Sequence, residues 1–237
     1  MVSTEISLST ELGEEKLLAQ VRSWVGRWIK KGFPQNYPNR ELEMNYRRQA
    51  EFWTTQIEPT AGLSVRIAAL THDISCAEED QKNLSARIVE RSLGGLKLPR
   101  EFIRSTARLV RDYETGEDFM SMLVRDAASI AFLEVKAPFL ISSAPEEGTF
   151  QEIRDKINLM YNRIQIARAR EIAEEFYGKA ITFLEEKRPE EGRLEEERRR
   201  ARAEYCRLVE EHKRKHSATE EEIDKLREAG DKVLSLG

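Results

Sequence analysis

From Leu17 to Phe183 the apolar residues of this 237-residue chain recur at helical spacing, and no stretch alternates as a strand would. Leu17, Leu18, Val21, Trp24, Val25, Trp28 and Ile29 share one face, with both tryptophans expected in the core. Leu42, Tyr46, Ala50 and Trp53 form a second stripe; Phe119, Leu123, Asp126, Ile130 and Leu133 form a third. Such stripes can be buried only helix on helix, so an all-α bundle is expected. The breakers divide it. Ser9 or Thr10 caps a first helix that Gly32-Phe33-Pro34 ends near Lys31. Further helices are predicted at about 40–57, 61–75, 81–92, from Pro99 to 113, at 118–135 before Pro138, and at 149–187.

Charged residues make up 35% of the chain and gather towards its end. Glu, Arg and Lys dominate from Glu185 to Lys215, interrupted by Pro189 and Gly192. Leu194, Ala201, Tyr205, Leu208 and His212 mark a narrow seam of coiled-coil type. Thr219 with Glu222 makes a capping box, and Ile223, Leu226, Val233 and Leu234 an apolar side. The reading is an all-helical domain over residues 1–187 and a charged helical hairpin over 188–237, packed on the body or on a second copy in a homo-oligomer. The net charge of −4 gives no field for nucleic acid, and glutamates around Arg198-Arg199-Arg200 cancel that patch, so no nucleic-acid partner is expected. Cys76 and Cys206 form no disulfide framework, which suits a reducing cytoplasm. Residues 1–15 carry no apolar signal core. Ala127 to Ala144 is the most apolar run, but Glu134 and Lys136 near its middle argue for a buried helix and against a membrane.

Chemistry concentrates at one point. Val65-Arg66-Ile67-Ala68-Ala69-Leu70 leads into Thr71-His72-Asp73, and His72 is the only histidine before residue 200. Imidazole and carboxylate together ligate divalent ions. Adjacent helical residues point about 100° apart, so such a pair converges on one ion only near a helix end. The dipeptide alone favours a plainer role, a histidine interacting with the dipole of a helix C-terminus. Other catalytic signatures are missing: there is no glycine-rich phosphate loop after a strand, no HExxH, no CxxC and no serine elbow. His212 and His216 stand four apart on the terminal segment, with Lys213, Arg214 and Lys215 between them, and are a minor metal candidate.

The stretch Arg66 to Asp80 resembles the signature of the HD superfamily, all-helical metal-dependent phosphohydrolases. That pattern has a first His, then His-Asp, then a distant Asp. Met122-Leu123-Val124-Arg125-Asp126-Ala127-Ala128 resembles the helix carrying the last one. The resemblance implies a divalent ion (Mn, Mg, Fe, Co, Ni or Zn) held by His72, Asp73 and Asp126, with Asp73 also catalytic. The first His is absent: Glu43-Met44-Asn45-Tyr46-Arg47-Arg48-Gln49 stands in its region, with Asn45 nearest its place. Arg47 and Arg48 are the first candidates to bind substrate phosphates, with Arg66, Arg87 and Arg91 on neighbouring helices. Glu78 and Glu79 are candidates for a further ligand or base, or for helix N-terminal charges. A closer likeness is to an uncharacterised HD-related family, the DUF4202 type, on Arg125 to Glu134. Two functions follow from the resemblance. One is a metal-dependent phosphohydrolase acting on a nucleotide or other small phosphate ester. The other is a degenerate HD fold without metal, a binding or assembly module in which His72 and Asp73 form a local hydrogen-bonded cap.

Overall fold

The structure, a computed structural model, describes residues 11–32, 39–75, 80–147 and 150–214. Among them there is no strand. The elements are α1 (Glu11–Gly32), α2 (Arg40–Ile57), α3 (Leu63–Thr71), α4 (Gln81–Gly94), α5 (Arg100–Asp112), α6 (Phe119–Ala131), a π turn (Phe132–Lys136), α7 (Ala137–Glu147), α8 (Phe150–Asn162) and α9 (Ala167–Arg214).

The short, apolar α3 is the hub. It packs against α2, α5 and α6, with α1 over its outer side. Ile67, Ala68, Ala69 and Leu70 are fully buried, and each large aliphatic side chain removed from water contributes about 1.5–3 kcal/mol. The small Ala68-Ala69 step lets neighbouring helices approach closely. Because α3 is walled in, whatever stands at its C-terminal end is held rigidly. That end falls at Thr71, earlier than the expected Ser75, so His72 and Asp73 occupy the turn just beyond the helix. Helix α6 lies against α2 and α3. Asp118 caps it, accepting from the Ser121 backbone N–H (3.1 Å) and hydroxyl (2.7 Å).

Several expected boundaries moved, each for a physical reason. Pro138 does not end its helix. The chain widens into a π turn just before it, the Ala137 N–H reaching back to the Phe132 carbonyl. A proline clashes with the carbonyl four residues back in a regular α-helix, and a π turn alters that register. Phe119–Ala144 is long and apolar enough to cross a membrane. Here Leu123, Val124, Ala127, Ala128, Ile130 and Ala131 are all fully buried core residues. The helix expected over 149–187 is broken at residues 163–166. The break expected at Pro189 and Gly192 does not occur, and α9 runs through both. The flanking Glu, Arg and Lys are strong helix formers that resume the helix after a proline. The second arm of the expected hairpin, with Thr219 to Leu234, lies outside the described residues, as do Ser9 and Thr10. Trp24 packs against the core as expected, but Trp28 is exposed.

Candidate functional site at the end of helix α3

His72 is completely buried. Its Nδ1 lies 2.8 Å from the Ala69 carbonyl oxygen, which can only accept, so Nδ1 carries the proton. Nε2 is then the acceptor, and the Tyr46 hydroxyl donates to it at 2.9 Å. Burial pushes the His72 pKa down, against the pull of Asp73, and keeps the ring neutral. The rings of Tyr46 and Tyr113 meet it edge-on, at 5.5 and 5.0 Å between centroids. Asp73 turns the other way. Its Oδ1 accepts from the Tyr113 hydroxyl at 2.8 Å, and its Oδ2 stands 3.4 Å from His72 Nε2. Burial opposes ionisation of Asp73, yet the Arg47 charge and the Tyr113 hydroxyl hold its carboxyl below the usual range. Both tyrosines are pushed upward, by burial first and by Asp73 second, so they remain protonated donors.

Around this cluster stand three cations and two further carboxylates. The Arg47 guanidinium is buried and donates from Nη2 to the Asp73 carbonyl at 2.5 Å, while its Nε and Nη1 have no partner. Lys136 lies 4.1 Å above the Tyr46 ring and 2.6 Å from Glu43. Arg163 donates from Nε to the Ser129 hydroxyl at 2.7 Å, and its Nη1 is 3.9 Å from Glu114. Glu114 also accepts from the Tyr113 hydroxyl at 3.2 Å and pairs with Lys82. Lys136 belongs to the π turn, which also presents Glu134 to the indole N–H of Trp53 at 2.8 Å. The two charges in the apolar run are thus both matched from α2.

The predicted residues separate. His72 and Asp73 are side by side. Asp126 is fully buried and employed elsewhere: its Oδ2 accepts the backbone N–H groups of Gln165 (2.9 Å) and Ile166 (2.7 Å), and its Oδ1 is 3.5 Å from Arg125 Nε. Burial raises its pKa, against those two amides and Arg125. Asn45 is exposed, and its neighbour Tyr46 is the residue that reaches His72. Arg47 braces the His-Asp turn. Arg48, about 100° further round α2, is exposed and lines a separate groove with Phe52, Trp53 and Phe176. Arg66 is bound to Glu51 and Glu15, and Arg87 and Arg91 are exposed on α4. Glu78, Glu79 and the His212–His216 pair of side chains lie outside the described residues. Tyr113, Lys136, Arg163 and Glu114 were not foreseen.

A divalent ion needs several lone pairs directed at one point. Here the His72 lone pair accepts from the Tyr46 hydroxyl, Asp73 Oδ1 accepts from that of Tyr113, and Asp126 accepts from backbone amides. Among the described residues no three His, Cys, Asp or Glu side chains are grouped to hold a metal. As arranged, the set does not fit a metal centre.

The all-α bundle is similar in fold to solved structures that include an HD-superfamily hydrolase. Two solved structures show the likeness. One is an HD-superfamily hydrolase from Bacillus thuringiensis, with a TM-score of 0.58 and 14% identity over 76% of this chain and 98% of that one. The other is Bacillus subtilis YpgQ in complex with ADP, with a TM-score of 0.57 and 17% identity over 73% of this chain and 94% of that one. At these identities the likeness is one of fold. No protein-family model matches the chain, and no curated protein matches its sequence.

Proposed function

We propose that this chain is a divergent HD-fold protein that binds a small phosphorylated molecule, a nucleotide such as ADP, at the end of α3 without a metal ion. The observation that carries the reading is the Tyr46 hydroxyl on His72 Nε2. It gives the imidazole an internal partner where a metal ligand needs a free lone pair. The side chains left for a ligand are Lys136 and Arg163, 24% and 21% exposed and therefore reachable. Each holds a carboxylate, Glu43 or Glu114, that a phosphate can displace through charge-assisted hydrogen bonds. The fold likeness to a protein crystallised with ADP supports the reading. Calorimetric titration with ADP in EDTA, beside metal analysis of the purified protein, tests it. Binding that persists in EDTA with substoichiometric metal is the expected result. One tightly held ion per chain, or binding abolished by EDTA, overturns it.

A second reading has its own observation. His72 Nε2 and Asp73 Oδ2 lie 3.4 Å apart, two atoms of the types that would hold one divalent ion. A phosphohydrolase with His72, Asp73 and Asp126 on a divalent ion, and Asp73 catalytic, requires Tyr46 to swing away and Asp126 to release its amides. Hydrolysis of phosphate esters that depends on added Mn or Mg selects that reading.

A further inference from the structure

The turn at residues 163–166 has no breaker residue of its own. Its sequence, Arg-Ile-Gln-Ile, contains neither glycine nor proline, and both flanks are helical. The helix stops there because Asp126, some 40 residues earlier on α6, supplies acceptors for the Gln165 and Ile166 amides. Arg125 adds a bond from Nη2 to the Gln165 side-chain oxygen at 2.8 Å. Asp126 therefore caps α9 from another helix, as an N-cap side chain does from within its own. Arg170 braces the turn from the α9 side, donating to the carbonyls of Tyr161 and Ile164.

What this turn presents is Arg163. Its guanidinium crosses back to α6, where it donates to Ser129, one helical turn beyond Asp126. Its far nitrogen faces Glu114, whose carboxylate shares the Tyr113 hydroxyl with Asp73. Its charge is also felt by the buried Tyr46 phenol. Arg163 closes the last turn of α8, its N–H donating to the Leu159 carbonyl at 3.2 Å, and the chain bends away immediately after it, at the amides that Asp126 holds.

We propose that Asp126 is a positioning residue that holds the 163–166 turn so that Arg163 stands over the Tyr46–His72–Asp73–Tyr113 cluster and receives the anionic group of the ligand. The ligand half of this statement rests on the phosphorylated-molecule reading above; the Asp126–Arg163 coupling does not. Two measurements keep them apart. The first needs no ligand: the Arg163 Nε–H resonance, assigned by its loss in Arg163→Gln, is protected from exchange by the Ser129 bond. It becomes fast-exchanging in Asp126→Ala while the α3 amides stay protected. The second is ADP affinity in EDTA. Arg163→Gln weakens binding by up to about fivefold, the most that exchanging one carboxylate partner for a phosphate supplies. Asp126→Ala weakens it comparably, but in the Arg163→Gln background it adds nothing. Asp126→Asn, which keeps one acceptor for the amides, restores part of the loss. An unchanged Arg163 signal in Asp126→Ala overturns the positioning role. Additive losses in the double variant show that Asp126 does not act through Arg163. A changed signal with no ADP binding to the unsubstituted protein sinks the ligand reading and leaves the coupling standing.

Discussion

Removing one oxygen, by Tyr46→Phe, tests the central claim about the site. The ring contacts to His72 and Lys136 survive, and only the hydroxyl on Nε2 is lost. Tyr46 is 3% exposed and His72 0%, so no water replaces the donor. A buried acceptor left without a partner costs about 1–3 kcal/mol. Relief from burying the phenol oxygen trims this, so we expect about 1–2 kcal/mol. At about 2–4 °C per kcal/mol for a chain of this size, Tm falls by about 2–8 °C. Tyr113→Phe is the control. Its acceptor, Asp73, is 32% exposed on its side chain and can recruit water, so the loss there is smaller. Urea melts of the three proteins at pH 7.5 measure both. If Tyr46→Phe is within about 0.3 kcal/mol of the parent, or costs less than Tyr113→Phe, then Tyr46 is not the partner that satisfies His72. The freed Nε2 also has a chemical consequence: this variant should gain affinity for Ni or Zn over the parent, read by calorimetry.

His72 predicts a pH dependence. Its folded pKa lies below the ordinary 6.5, so the unfolded chain binds the proton first; stability is full above about pH 7 and falls as pH drops below 6.5. His72→Gln should flatten the slope of unfolding free energy between about pH 5 and 6.5. Gly116→Ala puts a Cβ 2.6 Å from the Ser121 side chain and 2.9 Å from the Asp112 carbonyl. Overpacking against backbone and a short side chain should cost about 1–3 kcal/mol in a thermal melt; an unchanged Tm would mean that the α5–α6 turn relaxes freely. Glu51 is 5% exposed and accepts from both Arg22 and Arg66. Glu51→Ala strands two arginines, and because both are partly exposed the loss should fall at or below the lower end of the buried-pair range, about 2–3 kcal/mol. A loss insensitive to 1 M salt would argue for packing over charge as its cause.

The all-helical class and the His-Asp pair near the end of α3 were legible, because apolar period and breaker residues act locally. Glu134 and Lys136 were legible as an anomaly: two charges inside an apolar run must find partners, and both find them on α2. The π turn that aims them there leaves no mark beyond Pro138. Tyr46 was visible as part of a buried stripe, and a buried phenol needs an acceptor. Its partner His72 lies 26 residues away, and only the packing of α2 on α3 joins them. The break at residues 163–166 was invisible for the same reason, since the carboxylate that accepts its amides stands on α6. The likeness to the HD pattern singled out Asp126 as a metal ligand, whereas its carboxylate accepts two backbone amides; a motif names positions and not which atoms a carboxylate will meet.

On the phosphate-binding proposal, the saturation of these acceptors sets what the end of α3 can offer an incoming anion. With His72 neutral and Asp73 ionised, the cluster itself carries a negative charge and repels phosphate. Attraction must come from Arg47, Lys136 and Arg163. Arg47 is buried and faces the Asp73 carbonyl, so it offsets the floor of the site without meeting the ligand directly. Lys136 and Arg163 already have carboxylate partners, so a phosphate gains only the difference between its own ion pairs and those it replaces. Exposed exchanges of this kind are worth about 0–1 kcal/mol per pair, which implies modest affinity that weakens with salt. Glu43 and Glu114 then act as brakes on binding. Neutralising Glu114 by Glu114→Gln should tighten ADP binding in EDTA, whereas the same change in a metal-dependent site would be expected to leave nucleotide affinity unchanged or lower it. A Glu114→Gln protein that binds ADP no better than the parent would mean that Arg163 is not held in check by Glu114.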